Sequence, residues 1–446
     1  MHEIEKKIIQ NYKNNYPTSE EKHNTLKRYM PNGHVANVMA FKPYPLHICK
    51  GQGPYVYTHE GNRLLDFLNG YSVLIHGHTD PAITAALSSV TKNGIMFSSP
   101  TDSHYAYCRA IVDRVPGIEK VRICNSGTEA TLFALRTARA FTQKPKILKI
   151  FGGYHGTHDC VGISPSVINT MAEGIPQKMV QDILEVEFND FPTMERIINL
   201  HKDELAAVIV EPFIGGGGTI TPKDGYLQFI RELTNRNNIL LIFDEIVSFR
   251  MNYHGAQGYY GVIPDITTLG KVVGGGFPIG LFGGRADIMN IYDTEYNNHP
   301  IHHGGTFFGY EAAMVAGYTA LEKLSQDKIN YINELCNYFA TEIQRIANTN
   351  KVHMQINKAG SILTLHYTTE SVDNCSKAMK ANKDVARLIH LALLNEGIFT
   401  APYGKYYILS TVMTKEIIDE FVKKFDKVLS YISPYIAENF PDLIKS

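Results

Sequence analysis

The sequence predicts an α/β fold: a large domain on a mainly parallel sheet, followed by a smaller α+β domain. Two observations predict it. From about residue 80 to 325, short, almost wholly apolar runs alternate with helical patterns. Strands that are apolar on both sides belong to a parallel sheet covered on both faces. After 325 the strand-like runs ILTLHY (362–367) and KYYILST (405–411) stand among helical stretches near 328–348 and 378–396. The expected division is an N-terminal segment 1–60, packing on the small domain or on a partner, a large domain 61–325 and a C-terminal small domain 326–446. A chain of 446 residues suits two or three domains.

The elements follow in order. Residues 1–30 read as polar helix, and 31–60 as irregular, rich in Pro and Gly. YVYTHEGNRLLDF (55–67) reads as a hairpin turning at Glu-Gly-Asn. DPAITAALSSVTKN (80–93) is helical, VRIC (121–124) a strand, and Gly127 to Thr142 a helix opened by Ser126-Gly-Thr-Glu129, a capping-box pattern. KILKIF (146–151), AAVIVEP (206–212) and ILLIFDE (239–245) are strands, with a helix over YLQFIRELTNRNN between the last two. The final helix begins at Thr414 as N-cap, with Ile417, Ile418, Phe421, Val422, Phe425, Val428 and Leu429 on one face.

Composition narrows the function classes. Lys plus Arg is 43 and Asp plus Glu is 44, a formal net charge of −1, which argues against a coat for nucleic acid or anionic membrane. No window reaches the ~18 apolar residues of a membrane helix, and the polar first residues do not resemble a secretory leader. Six scattered cysteines (49, 108, 124, 160, 336 and 375) form no CxxC pair and read as buried thiols of a cytoplasmic protein.

Parallel sheets bind ligands at the carboxyl ends of their strands. Here those ends carry Asn125-Ser126-Gly127-Thr128-Glu129, Gly152-Gly153-Tyr154-His155-Gly156, Glu211-Pro212, Asp244-Glu245 and Gly270-Lys271. Ser126, Gly127 and Thr128 open a helix, where free N–H groups and hydroxyls suit a phosphate; plain N-capping explains the same residues. Tyr154 offers a ring to stack on a flat cofactor, or simply packs. Asp244 ends a strand with no basic neighbour in sequence, so it needs a cation, a cap or a protonated heterocycle. Glu245 suits a structural pair. Lys271, followed by Gly274-Gly275-Gly276, becomes a Schiff-base nucleophile once burial lowers its pKa. Together the set fits pyridoxal 5′-phosphate. Lys271 would bind its aldehyde and then serve as general base. Asp244 would hold the pyridine nitrogen protonated, Tyr154 and Ile246 would flank the ring, and Ser126, Gly127, Thr128 and Glu211 would complete the cofactor site.

On NSGTEAT (125–131), GGYHG (152–156), VEP (210–212), IFDEI (242–246), TLGKVVGGGFPIG (268–280) and GGTFFG (304–309), the chain resembles class III aminotransferases of PLP fold type I. The branch it resembles is that of glutamate-1-semialdehyde 2,1-aminomutase and the β-amino-acid aminotransferases. The resemblance implies a homodimer in which Thr306 reaches the cofactor phosphate of the other subunit. It also implies a small-molecule amino donor and a carbonyl acceptor. It places Tyr71 in the substrate pocket and makes Lys405 a candidate for binding a substrate polar group. The aminomutase has a Ser and an Arg in its N-terminal segment where Ala36 and Met39 stand here, and a glutamate near the C-terminus where Lys405 stands. The expected reaction is therefore transamination, with the aminomutase as the alternative.

Two other readings rank lower. His76-Gly-His78, His155-Gly-Thr-His158 and His302-His303 pair histidines closely, but none matches HExxH, so no metal is expected. The run Gly215 to Gly218 lacks the GK[ST] ending of a phosphate loop and reads as a tight turn.

Overall fold

The computed structural model describes residues 2–162 and 174–445. The chain forms two compact units. One comprises Pro81–Asn330 with Asp373–Met379; the other comprises Met1–Asp80, Tyr331–Val372 and Lys380–Ser446.

The smaller unit contains two sheets. The first has strands β1 (Ile48–Gln52), β2 (Tyr55–Thr58) and β3 (Arg63–Asp66) in antiparallel succession. The turn between β2 and β3 falls at residues 59–62, as the hairpin reading expects. The fourth strand, β13 (Ile398–Phe399), pairs parallel with β3. That pairing ties 61–66 to the C-terminal region, so the unit boundary falls at Asp80 and not at 60. The second sheet has the order β11 (Gln355–Ala359), β12 (Ile362–His366), β14 (Tyr407–Ile408). KYYILST supplies only two ladder residues, Tyr407 and Ile408, and is preceded by a turn over Pro402–Gly404 in which Tyr403 adopts φ +60°.

The N-terminal helices Glu3–Asn15 and Pro17–Leu26 lie on this unit. Ile8, Tyr12 and Tyr16 enter its core beside Leu388, Leu391 and Phe425. Tyr16 Oη donates to Leu394 O at 2.6 Å, and Asn395 Nδ2 to Ile8 O at 3.0 Å. The last helix, Lys415–Asn439, has Thr414 as N-cap. Its Phe421 is fully buried, with ring centroids 4.7 Å from Phe67, 4.8 Å from Phe339 and 5.6 Å from Tyr407. Phe421→Ala is expected to cost about 3–5 kcal/mol, as buried Phe truncations do. Thermal or denaturant unfolding checks this.

The larger unit is built on seven strands: β4 (Lys120–Cys124), β5 (Lys146–Ile150), β6 (Ile183–Val186), β7 (Leu205–Val210), β8 (Leu240–Asp244), β9 (Ile266–Gly270) and β10 (Gly280–Gly284). Their order across the sheet is β4-β10-β9-β8-β7-β5-β6. Five strands, from β9 to β6, run parallel, and β10 is inserted antiparallel between β4 and β9. β7, β8 and β9 are buried along their whole length, which explains their unbroken apolar sequences. One face carries the helix Gly127–Thr142, whose Phe133, Ala134 and Ala138 meet Ile147, Ile209 and Ile242. Gly280 is obligatory: a methyl there would stand 1.9 Å from Ser126 O.

The cysteines are less uniform than expected. Cys124, Cys336 and Cys375 are buried, Cys108 and Cys160 are half-buried, and Cys49 is exposed on β1, an edge strand. No helix among the described residues is long and apolar enough to cross a membrane.

Candidate active site

β9, β8 and β7 are sheet neighbours, and their carboxyl ends place Lys271, Asp244 and Glu211 side by side. This is the arrangement expected where parallel strands present polar groups to a ligand.

Lys271 follows β9 with φ +50°, a left-handed conformation unusual for a side chain of this size. The turn closes at Gly275, where φ is +58° and a methyl would meet Ala316 O at 2.3 Å. Burial lowers the pKa of the Lys271 amine, while Asp244 and Glu211 pull it back up. The amine is thus easier to deprotonate than an ordinary lysine.

Asp244 is 2% exposed and its carboxylate is held from three sides. His155 Nδ1 lies 2.7 Å from Oδ2. A carboxylate carries no hydrogen to give, so the ring's Nδ1–H is the donor. Oδ1 accepts from Thr268 Oγ1 at 3.1 Å and from Ile246 N at 3.2 Å. His155 is equally buried, and its Nε2 has no hydrogen-bond partner among the described residues. The structure therefore adds His155 to the site, in line behind Asp244. The sequence places His155 at a strand end and in a histidine pair, and gives it no role at the cofactor site. Among the described residues no group of His, Cys, Asp and Glu could hold a metal ion. The other pairs have separate partners: His78 Nε2 is 2.7 Å from Asp66 Oδ2, and His76 Nδ1 is 3.1 Å from Thr411 Oγ1.

Glu211 is 3% exposed. Its Oε2 accepts from Tyr154 N at 2.9 Å and its Oε1 from Gly215 N at 3.3 Å. Burial, then the charge of Asp244, pushes its pKa up to about 8, against the pull of these donors and of Lys271. The run 215–218 is a turn that closes on Glu211, with Ile214 and Ile220 paired across it. Glu245, by contrast, points to the helix Gly255–Tyr260. It accepts from Ala256 N, from Gln257 N at 3.1 Å and from Gln257 Nε2 at 2.9 Å. It is a helix cap and not half of an ion pair.

The phosphate candidates open the helix Gly127–Thr142. Ser126 Oγ accepts from Glu129 N at 3.2 Å, while Glu129 Oε2 accepts from Asn125 N at 2.7 Å. Ser126 is thus the N-cap, but the return bond of Glu129 goes to Asn125 N and not to Ser126 N, so the expected capping box is only half formed. Gly127 faces Ile246, whose Cδ1 would stand 2.6 Å from a methyl on that glycine. Gly156, at φ +97°, lies against Thr128, where a methyl would meet Oγ1 at 2.6 Å. Thr131 Oγ1 donates to His155 O at 2.5 Å and so binds this helix to the loop that carries Tyr154 and His155. Tyr154 itself is 40% exposed, its ring left open to a ligand or to solvent.

Ser126, Gly127, Thr128, Tyr154, Glu211, Asp244, Ile246 and Lys271 all lie in the larger unit and are linked by the contacts above. Thr306 is in the same unit, exposed beside Phe307, in the loop that follows His303. Tyr71 and Lys405 belong to the smaller unit. Tyr71 adopts φ +56° and donates from Oη to Val38 O at 2.9 Å; burial pushes its phenol up to about 12. Lys405 is exposed, and its carbonyl accepts from Thr364 Oγ1 at 2.7 Å.

Comparison with known proteins agrees with this arrangement. Glutamate-1-semialdehyde 2,1-aminomutase 1 of Macrococcus caseolyticus is 36% identical, over 94% of this chain and 99% of its own. An omega-transaminase from Sphaerobacter thermophilus superposes with a TM-score of 0.88 at 32% identity, covering 92% of this chain and 97% of its own. A β-phenylalanine aminotransferase from Variovorax paradoxus gives 0.89 at 31% identity, covering 99% of each chain. The family model "Aminotransferase class-III" matches residues 38–429, and the chain belongs to that family.

Proposed function

We propose that this protein is a pyridoxal 5′-phosphate enzyme that moves an amino group within one small molecule, as a glutamate-1-semialdehyde 2,1-aminomutase. Family membership supports the cofactor. The residues present fit it: a buried amine of lowered pKa, a carboxylate locked by three donors, and a helix start beside two closely approached glycines. The observation that carries the reading is the row Lys271, Asp244, Glu211 on three adjacent strand ends. When bound, the cofactor supplies a carbonyl that captures amines and a ring that takes up electrons from the substrate carbon. Lys271 would hold it at that carbonyl. Once displaced by the substrate amine, Lys271 would remove and return the proton at the carbon bearing nitrogen. Asp244, steadied by His155, would keep the ring nitrogen protonated. Ile246 and Tyr154 would flank the ring. Ser126, Gly127 and Thr128 would bind the phosphate with N–H and O–H donors, joined by Thr306 from a second copy of the chain in a homodimer.

The curated relative favours the intramolecular reaction over the transamination expected from the sequence. Transamination between a separate donor and acceptor is the second reading. It rests on the stretch 32–45, which contains no arginine and exposes Val35, Val38 and Met39, and on the two transaminase structures. Incubation with glutamate 1-semialdehyde alone separates the two. The aminomutase reading expects the isomer with its amino group on carbon 1, with no second substrate added. No isomer, together with amino transfer from an ω-amine or β-amino acid to a keto acid, would replace it by transamination.

A further inference from the structure

The loop that carries Thr306 is held at both ends, within the larger unit. At its start, His303 packs into a ring cluster, with centroids 4.4 Å from Phe133, 5.5 Å from Phe282 and 4.9 Å from Phe308. The loop then turns tightly. Phe308 N donates to Gly305 O at 3.0 Å, which sets Thr306 and Phe307 at the corner. Both are exposed, and the Thr306 hydroxyl makes no hydrogen bond among the described residues.

The far end of the loop is anchored by Glu311, the first residue of the helix Glu311–Lys323. This side chain is buried, and it reaches across to the start of another helix, Asp102–Arg114. Its Oε1 accepts from Thr101 Oγ1 at 2.5 Å and its Oε2 from Ser103 Oγ at 2.6 Å. Glu311 N donates to Ile95 O at 3.3 Å, in the segment that leads to that helix. His104 Nδ1 accepts from Thr101 N at 3.1 Å. The His104 ring lies against Gly309, where φ is +72° and a methyl would meet Nε2 at 2.6 Å. The carboxylate thus sits where two helix N-termini meet, and both dipoles favour its charge. The amino-transfer chemistry has no use for it. Its two bonds span 210 and 208 residues of chain, so no local pattern fixes this end of the loop.

We propose that Glu311 is the positioning residue of this loop. By tying the loop to Thr101 and Ser103 it fixes the turn Gly305–Phe308 and holds the Thr306 hydroxyl outward, ready for the cofactor phosphate of a second copy of the chain. Without the tie, the loop keeps only its anchor at His303, and the turn samples several arrangements of which few present the hydroxyl. Affinity for the phosphate then falls with the fraction of time the hydroxyl is in place. The role at the phosphate rests on the reading of Thr306 proposed above; the fixing of the loop does not.

Amide hydrogen exchange of the full chain, read by mass spectrometry over the peptide 303–311, tests the fixing of the loop. Glu311→Ala is expected to speed exchange there by at least about 10-fold, through the loss of two hydrogen bonds to a charged group. Glu311→Gln is expected to restore slow exchange, because its amide oxygen accepts from one hydroxyl and its amide nitrogen donates to the other. Unchanged exchange in a folded Glu311→Ala protein overturns the proposal. Should that variant not fold, Ser103→Ala, which removes one donor from a half-buried position, takes its place; the same peptide is expected to exchange faster, and an unchanged rate overturns the proposal. Ligand affinity of the cofactor-stripped full chain tests the role at the phosphate. Glu311→Ala is expected to bind pyridoxal 5′-phosphate at least about 10-fold more weakly, and pyridoxal, which lacks the phosphate, as before. An equal fall for both ligands would make Glu311 a support of the whole fold and overturn the proposal. Thr306→Val tells two failures apart. A phosphate-dependent loss in Thr306→Val but not in Glu311→Ala overturns this proposal alone, and no loss in either overturns the reading of Thr306 as well.

Discussion

Replacing Lys271 by alanine is expected to lower turnover by at least about 10⁴-fold, the upper range for one positioned acid–base group. The reasoning starts from place. Lys271 sits at the end of a wholly buried strand in a left-handed turn, where an ordinary surface lysine has no reason to be. Burial costs its charged form, and the two carboxylates return only part of that cost. An amine so held is available as a nucleophile and as a base. The fold should survive its loss, because among the described residues its side chain makes no ion pair or hydrogen bond at contact distance. Circular dichroism and steady-state kinetics on the variant check both halves of this statement. Near-normal turnover by a folded variant would remove Lys271 from the chemistry.

The second large effect is expected at Asp244. Asp244→Asn preserves shape and can still bond to Thr268 and His155, because the imidazole can present its other tautomer. The negative charge is lost. With it goes the group that would keep the cofactor ring protonated and its electron uptake strong. Turnover is expected to fall by about 10²- to 10³-fold, a magnitude typical of removing one preorganised electrostatic contact. Cofactor binding, read by visible absorbance, should persist through the phosphate site. Unchanged rates would mean that Asp244 is a structural carboxylate only.

Much of this was legible in the chain itself. β7, β8 and β9 are covered on both faces, so their sequences are continuous apolar runs, and the polar residues that end them stand out. The helix from Gly127 announced itself by its cap. The strands that escaped notice do so for physical reasons. β10 reads GLFGG, and its glycines resemble a turn. They are there because Ser126 O, Lys120 O and Asp265 O crowd the positions where side chains would begin. β6 is four residues long with two half-buried positions, too short for a pattern. Lys149 sits in an apolar strand and looks misplaced until its register partner on β6 is seen to be Glu185. The role of His155 was hidden because its partner is 89 residues away, across the sheet. The domain boundary at Asp80 depends on β13 returning to β3 from more than 300 residues later, a contact that local pattern does not carry.

The most direct test of the account is borohydride reduction of the cofactor-loaded protein, followed by peptide mass spectrometry. Reduction fixes the cofactor to the lysine that holds it. The account predicts a pyridoxyl group on the peptide containing Lys271 and on no other. A pyridoxyl group on Lys149, on Lys405 or on no lysine at all would contradict it.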